Sequence, residues 1–156
     1  MRTAVFRVPG IPPSPNRTLG RRWQATLPET EEWRARGALA VIEARRTGAW
    51  DGRPFARARV TFRFVYPDRR RRDPDNALAS CKRIWDMFRP SAEEKQGVPR
   101  GYVLWDDDWE HIERVTVEYG GIDRRNPRVE VLVEEAGAKS SFAADGAETG
   151  QAEVGP

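Results

Sequence analysis

Apolar and polar side chains alternate in four stretches of this chain, and in two longer stretches the apolar positions recur at helical spacing. From Thr3 to Pro9, Ala4, Phe6 and Val8 alternate with Thr3, Val5 and Arg7, which predicts a short strand with one buried face. The clearest strand runs from Ala56 to Tyr66. There Ala58, Val60, Phe62, Phe64 and Tyr66 form a core face, and Arg57, Arg59, Thr61, Arg63 and Val65 a largely basic or polar one. A third strand begins near Ile112 with Val115, Val117 and Tyr119 as its core face, and a fourth, from Arg128 to Glu134, buries Val129, Val131 and Val133. Gly120 to Pro127 reads as a hairpin-like connection, so these last two strands are expected to pair antiparallel.

Thr26-Leu27-Pro28-Glu29 has capping-box spacing and predicts a helix start. The stripe Trp33, Gly37, Val41 and Ala44 continues that helix to just before Gly48, and Gly37 would allow close packing on a sheet. A second helix is predicted from about Pro74 to Phe88. Asp73 is its N-cap, Pro74 its first position, and Leu78, Cys81, Trp85 and Phe88 its apolar stripe. The segment from Pro9 to Asn16 carries four prolines and reads as a rigid extended loop, and Arg89 to Gly101 as a surface loop. The fold class expected is α/β (α+β): a mixed sheet of about four strands packed with two main helices in the order β-α-β-α-β-β. Residues 1–135 would form the single domain and 136–156, rich in Ala, Gly, Ser and Glu, a disordered tail.

Charge sharpens this picture through its placement. The 156 residues hold 27 basic and 24 acidic side chains, a net +3, and without the last 21 residues the balance is 26 against 21, or +5. Arginines gather at 17–22, 34–46, 53–59 and 69–72, which favours a polyanionic partner. Cys81 is the one cysteine, so disulfides and cysteine-based zinc sites are excluded. His111 is the one histidine, and no nucleophile motif accompanies it. With no apolar leader and no run long enough to span a membrane, the protein is expected in the cytoplasm.

The candidate chemistry lies in Asp68-Arg69-Arg70-Arg71-Arg72-Asp73-Pro74-Asp75-Asn76 and in Trp105-Asp106-Asp107-Asp108-Trp109. In an extended segment Asp73 and Asp75 point the same way, as the chain leaves a strand and enters a helix. A third carboxylate from Asp106 to Asp108 would complete a set of hard oxygen ligands suited to Mg²⁺, with Mn²⁺ as substitute. The adjacent arginines bring positive charge and forked donors for phosphodiesters. On residue types alone this suggests a metal-dependent nuclease.

Together with Pro12-Pro13-Ser14-Pro15-Asn16 near the N-terminus, these two motifs make the chain resemble the RusA family of Holliday junction resolvases, from about Phe6 to Glu134. The resemblance implies a homodimeric Mg²⁺-dependent endodeoxyribonuclease of a bacterium or phage, which resolves four-way DNA junctions by paired nicks and needs no small-molecule cofactor. It makes Asp73 and Asp75 two metal-site aspartates and points to Asp107 as the third, with Asp107-Asp108 as the alternative register. The family lysine, four residues beyond the second aspartate, is Ala79 here, and Lys82, one turn further, is the candidate in its place. Arg69, Arg70, Arg71 and Arg72, with Asn16, Arg17, Arg21 and Arg22, would grip the branched DNA. The alternative, for which Ala79 is the clue, is a junction-binding protein with weak or no nuclease activity.

Overall fold

The computed structural model describes residues 1–14, 20, 23–90 and 101–137. Asn16, Arg17, Arg21 and Arg22 lie outside the described residues, as do 91–100 of the predicted surface loop and 138–156 of the predicted tail. The element order is β1 (Thr3–Pro9), α1 (Trp23–Thr47), β2 (Ala58–Tyr66), α2 (Pro74–Ser80), α3 (Lys82–Phe88), β3 (Ile112–Ile122) and β4 (Arg128–Glu135). The fold is α+β, with a mixed four-stranded sheet in the order β1-β4-β2-β3.

The alternation in β1, β2 and β4 sets the core. Phe6, Val8, Val60, Phe62, Phe64, Val129, Val131 and Val133 are all buried on one face of the sheet. Trp33, Ala40 and Ala44 of α1 and Ala77, Ile84 and Phe88 of α2 and α3 close that face in one apolar cluster with them. Phe6 meets Phe88 and Trp50 at ring-centroid distances of 5.0 and 5.8 Å. Packing continues past Glu135. Ala136 is buried and donates its N–H to the Arg57 carbonyl at 2.9 Å.

Four details correct the sequence reading. β3 and β4 do not pair: β4 lies antiparallel between β1 and β2, whereas β3 runs parallel to β2 at the sheet edge. The all-valine inner row of β4 gains cover from a strand on each side, and on the edge Val115 and Tyr119, assigned to the core, are exposed instead. Helix α1 begins at Trp23, before the predicted capping box, which places Pro28 inside the helix where its missing N–H costs one ladder hydrogen bond. The predicted single helix is two segments meeting at Cys81, and Leu78 is 49% exposed while Ala77 and Ile84 take the core positions. Finally, Gly37 permits close approach of α3 rather than of the sheet, since a Cβ there would stand 3.0 Å from Met87 Cγ.

Candidate functional site

Strand β2 ends at Tyr66, and the seven residues that follow are fixed largely by Asp68 and Arg72. The Asp68 Oδ1 atom accepts the Arg70 N–H at 3.0 Å and lies 2.8 Å from Arg72 Nη2. The Arg70 amide, then the Arg72 guanidinium, hold the Asp68 carboxyl below its usual range. Arg72 donates to the carbonyls of Asp68 and Arg70, and its guanidinium sits 4.1 Å over the Tyr66 ring. Arg72 is therefore spent on the loop itself. Arg69, Arg70 and Arg71 face solvent, with side chains of Arg70 and Arg71 84% and 95% accessible.

Asp73 occupies the N-cap position of α2 with extended backbone angles, yet its side chain makes no capping hydrogen bond. Among the described residues its ion-pair contact is Arg71, whose Nε is 3.9 Å away. Asp75, in the first turn, accepts the Asn76 N–H on Oδ1 at 2.9 Å, and its Oδ2 receives no hydrogen bond among the described residues. Both carboxylates are exposed. A groove of about 270 Å³ runs between this helix start and the loop after β1, with Pro12 and Ser14 on one wall and Arg71, Asp73 and Asn76 on the other. Gly10 starts that loop at φ +86°, where a Cβ would strike the Arg36 guanidinium. The described residues of the N-terminal proline motif and of the arginine-aspartate motif, some sixty positions apart, thus line one cleft.

The second acidic cluster lies elsewhere. Because Ala58 pairs with Ile112 and Tyr66 with Ile122, Asp106 to Asp108 sit at the start of β2, and Asp73 and Asp75 beyond its end. Asp107 Oδ2 accepts Trp85 Nε1–H at 3.1 Å and lies 2.9 Å from Arg89 Nε at the far end of α3, and the Trp85 ring packs on Phe62 of β2 at 5.6 Å between centroids. From Asp73 to Trp85 is about 18 Å along a helix axis. Among the described residues, Asp73, Asp75 and Asp107 do not form a group with all ligand atoms within 4.8 Å of one another. Lys82 also turns away from Asp75, with its Nζ 2.7 Å from Asp86 Oδ1.

Asp106, Asp108 and His111 form a group whose ligand atoms lie within 4.8 Å of one another and which could hold a metal ion. Asp108 Oδ1 is already engaged by the Glu110 and His111 amides and by His111 Nδ1 at 2.6 Å, and the His111 bond leads in keeping its carboxyl below the usual range. Two carboxylates and an imidazole suit a borderline transition metal better than Mg²⁺. The sequence reading noted His111 as the one histidine, without a nucleophile motif, and did not join it to the acidic cluster. The spacing Asp106, Asp108, His111, which gathers three donors in one turn, was the signal for it. Among the described residues no helix is long and apolar enough to cross a membrane. Neither a model of a known protein family nor a curated protein matches the sequence.

Proposed function

We propose that this protein is a Mg²⁺-dependent endodeoxyribonuclease of the RusA kind, acting on four-way DNA junctions. The observation that carries the reading is the helix start of α2, where two exposed carboxylates without strong internal partners follow three solvent-facing arginines in sequence, with Asp73 and Arg71 lining one groove. Surface aspartates beside arginines ordinarily neutralise one another. Here Asp68 takes up Arg72 and, at 3.6 Å, Arg70, and among the described residues only the 3.9 Å contact with Arg71 reaches Asp73. Solvent-facing carboxylate oxygens are the donors a hard cation with several retained waters requires.

In this reading Asp73 and Asp75 hold the cation, and Arg69, Arg70 and Arg71 bind phosphates on either side of the scissile bond by charge-assisted hydrogen bonds. A bound divalent cation would polarise the phosphodiester and lower the pKa of a water nucleophile. Arg72, stacked on Tyr66, keeps the loop in the shape that aims its neighbours outward. Asp75→Asn removes one ligand charge without changing shape, so cleavage of a labelled junction should fall by at least about 100-fold while binding is retained. Undiminished cleavage by that variant would refute the assignment.

The position of Lys82 favours a second reading. With Ala79 exposed one turn from Asp75 and Lys82 paired to Asp86, no lysine faces the carboxylate pair from this helix, as a protein that binds junctions without cutting them would permit. An Ala79→Lys variant that gains cleavage over an inert parent would establish it.

A further inference from the structure

We propose that the connection between β3 and β4 is a second phosphate-binding site, in which Arg124 and Arg125 hold the backbone of a DNA duplex arm beside the cleft at Asp73. The inference rests on the DNA-binding part of the reading above and adds residues to it. β3 and β4 flank β2 on opposite sides, so the chain from Asp123 to Pro127 has to cross over the end of β2. Ile122 lies beside Tyr66 in one ladder and Arg128 beside Val65 in the other, and the Asp123 N–H donates to the Tyr66 carbonyl at 2.8 Å. The crossing covers two strand spacings, about 10 Å. The arginine run from 69 to 72 leaves the sheet from that same strand end.

The two segments are built alike. Asp68-Arg69-Arg70 and Asp123-Arg124-Arg125 are the same tripeptide. In each, the aspartate Oδ1 accepts the N–H of the second arginine, at 3.0 Å from Arg70 and 3.1 Å from Arg125. Each aspartate also pairs with a later arginine, Asp68 with Arg72 at 2.8 Å and Asp123 with Arg128 at 3.2 Å. The acid thus shapes the turn and is neutralised within it. In the second turn this leaves Arg124 and Arg125 exposed, with no ion pair among the described residues. Arg53 makes the contrast: it too follows an aspartate turn, but its Nη2 folds back to Asp51 Oδ2 at 2.7 Å. Arg34 and Arg46 on α1 are likewise answered, by Glu31 and Glu43. Guanidinium charge left unpaired on a turn pinned by backbone hydrogen bonds suits a ligand with closely spaced anions, the phosphodiester backbone. The Gly10 N–H donates to the Pro127 carbonyl at 2.7 Å, which ties the crossing to the loop that brings Pro12 and Ser14 to the cleft. Both arginine turns and one wall of the cleft therefore meet at one end of the sheet.

The test is fluorescence anisotropy with a labelled four-way junction over a salt series, with divalent cations chelated so that no strand is cut. Arg124→Gln with Arg125→Gln should flatten the slope of log affinity against log salt by about 1.8, with circular dichroism unchanged. Between 50 and 200 mM salt, wild type would then lose roughly twelvefold more affinity than this variant. Arg124→Lys with Arg125→Lys keeps the charge and should keep the wild-type slope. Adding Arg69→Gln and Arg71→Gln to the glutamine pair should bring the flattening to about 3.6, because the two turns meet different phosphates. Arg34→Gln with Arg46→Gln, at cations already paired, is the control. A glutamine pair no flatter than that control, or a lysine pair as flat as the glutamine pair, overturns the site. If that happens while wild type still cuts the junction under Mg²⁺, the nuclease reading stands without it. Wild type that binds the junction but does not cut it refutes the nuclease reading alone, and the slopes still decide this site. Wild type that binds no DNA overturns both.

Discussion

Arginines in one run of four differ in what they do, and neutralising them in pairs separates the two roles. Arg69 and Arg71 make no hydrogen bond among the described residues, and Arg71 is 95% exposed, so Arg69→Gln with Arg71→Gln should leave the fold untouched. Each arginine on a phosphate contributes about 0.9 to the slope of log affinity against log salt, so the double variant should flatten the slope by about 1.8. Between 50 and 200 mM salt, wild type would then lose roughly twelvefold more affinity than the variant. Fluorescence anisotropy with a labelled four-way junction over a salt series measures this directly. Arg72→Gln makes the contrast. It removes the stacking on Tyr66 and the 2.8 Å pair with Asp68, together about 1 kcal/mol, and should lower the thermal midpoint by about 2–4 °C with a smaller change in slope. Equal slopes for wild type and the Arg69/Arg71 variant would refute the claim that these side chains meet phosphate.

Two further outcomes follow from groups away from the cleft. The Arg53 amide, then the guanidinium groups of Arg53 and Arg2, lower the Asp51 carboxyl to about 2. Its folded pKa lies below the unfolded one, so its contribution is complete above about pH 4 and lost as pH falls through about 2. At 37% side-chain exposure the effect is screened to about 0.5 kcal/mol, and the stability gap between wild type and Asp51→Asn in urea titrations should close over that window. Cys81 is 2% exposed and burial pushes its thiol up, so a thiol reagent should label it only on unfolding; rapid labelling of the native protein would contradict its place in the core.

The strands whose inner row is large and apolar were legible in the sequence. Ala4, Phe6 and Val8, and Val60, Phe62 and Phe64, are buried as their alternation predicts. Strand order was not legible, because Gly120 to Pro127 satisfies local turn chemistry whether β4 folds back on β3 or crosses to lie between β1 and β2. The deciding term is non-local: Val129, Val131 and Val133 are covered best by two neighbours, and β3 with Arg114, Glu118 and exposed Tyr119 tolerates an edge. In the second helix, Leu78-Cys81-Trp85-Phe88 and Ala77-Cys81-Ile84-Phe88 both fit a helical period. Small Ala77 and Ser80 let the helix start approach Phe64 and Tyr66, which a size-weighted choice of stripe misses. At the candidate site, the cleft that Pro12 and Ser14 share with Asp73 was not read from the sequence, which gave the proline segment only as a rigid extended loop. The place of Asp107 could not be read from motif spacing, because it is set by Trp85 and Arg89 of α3, which hold its carboxylate.

The most direct measurement is cleavage of a synthetic four-way junction by the wild-type protein, beside a linear duplex of the same sequence, with Mg²⁺ present or chelated. The account predicts paired nicks in the junction that require the cation and leave the duplex intact. Equal cutting of both substrates would contradict junction specificity, and binding without nicks under either Mg²⁺ or Mn²⁺ would contradict the nuclease itself.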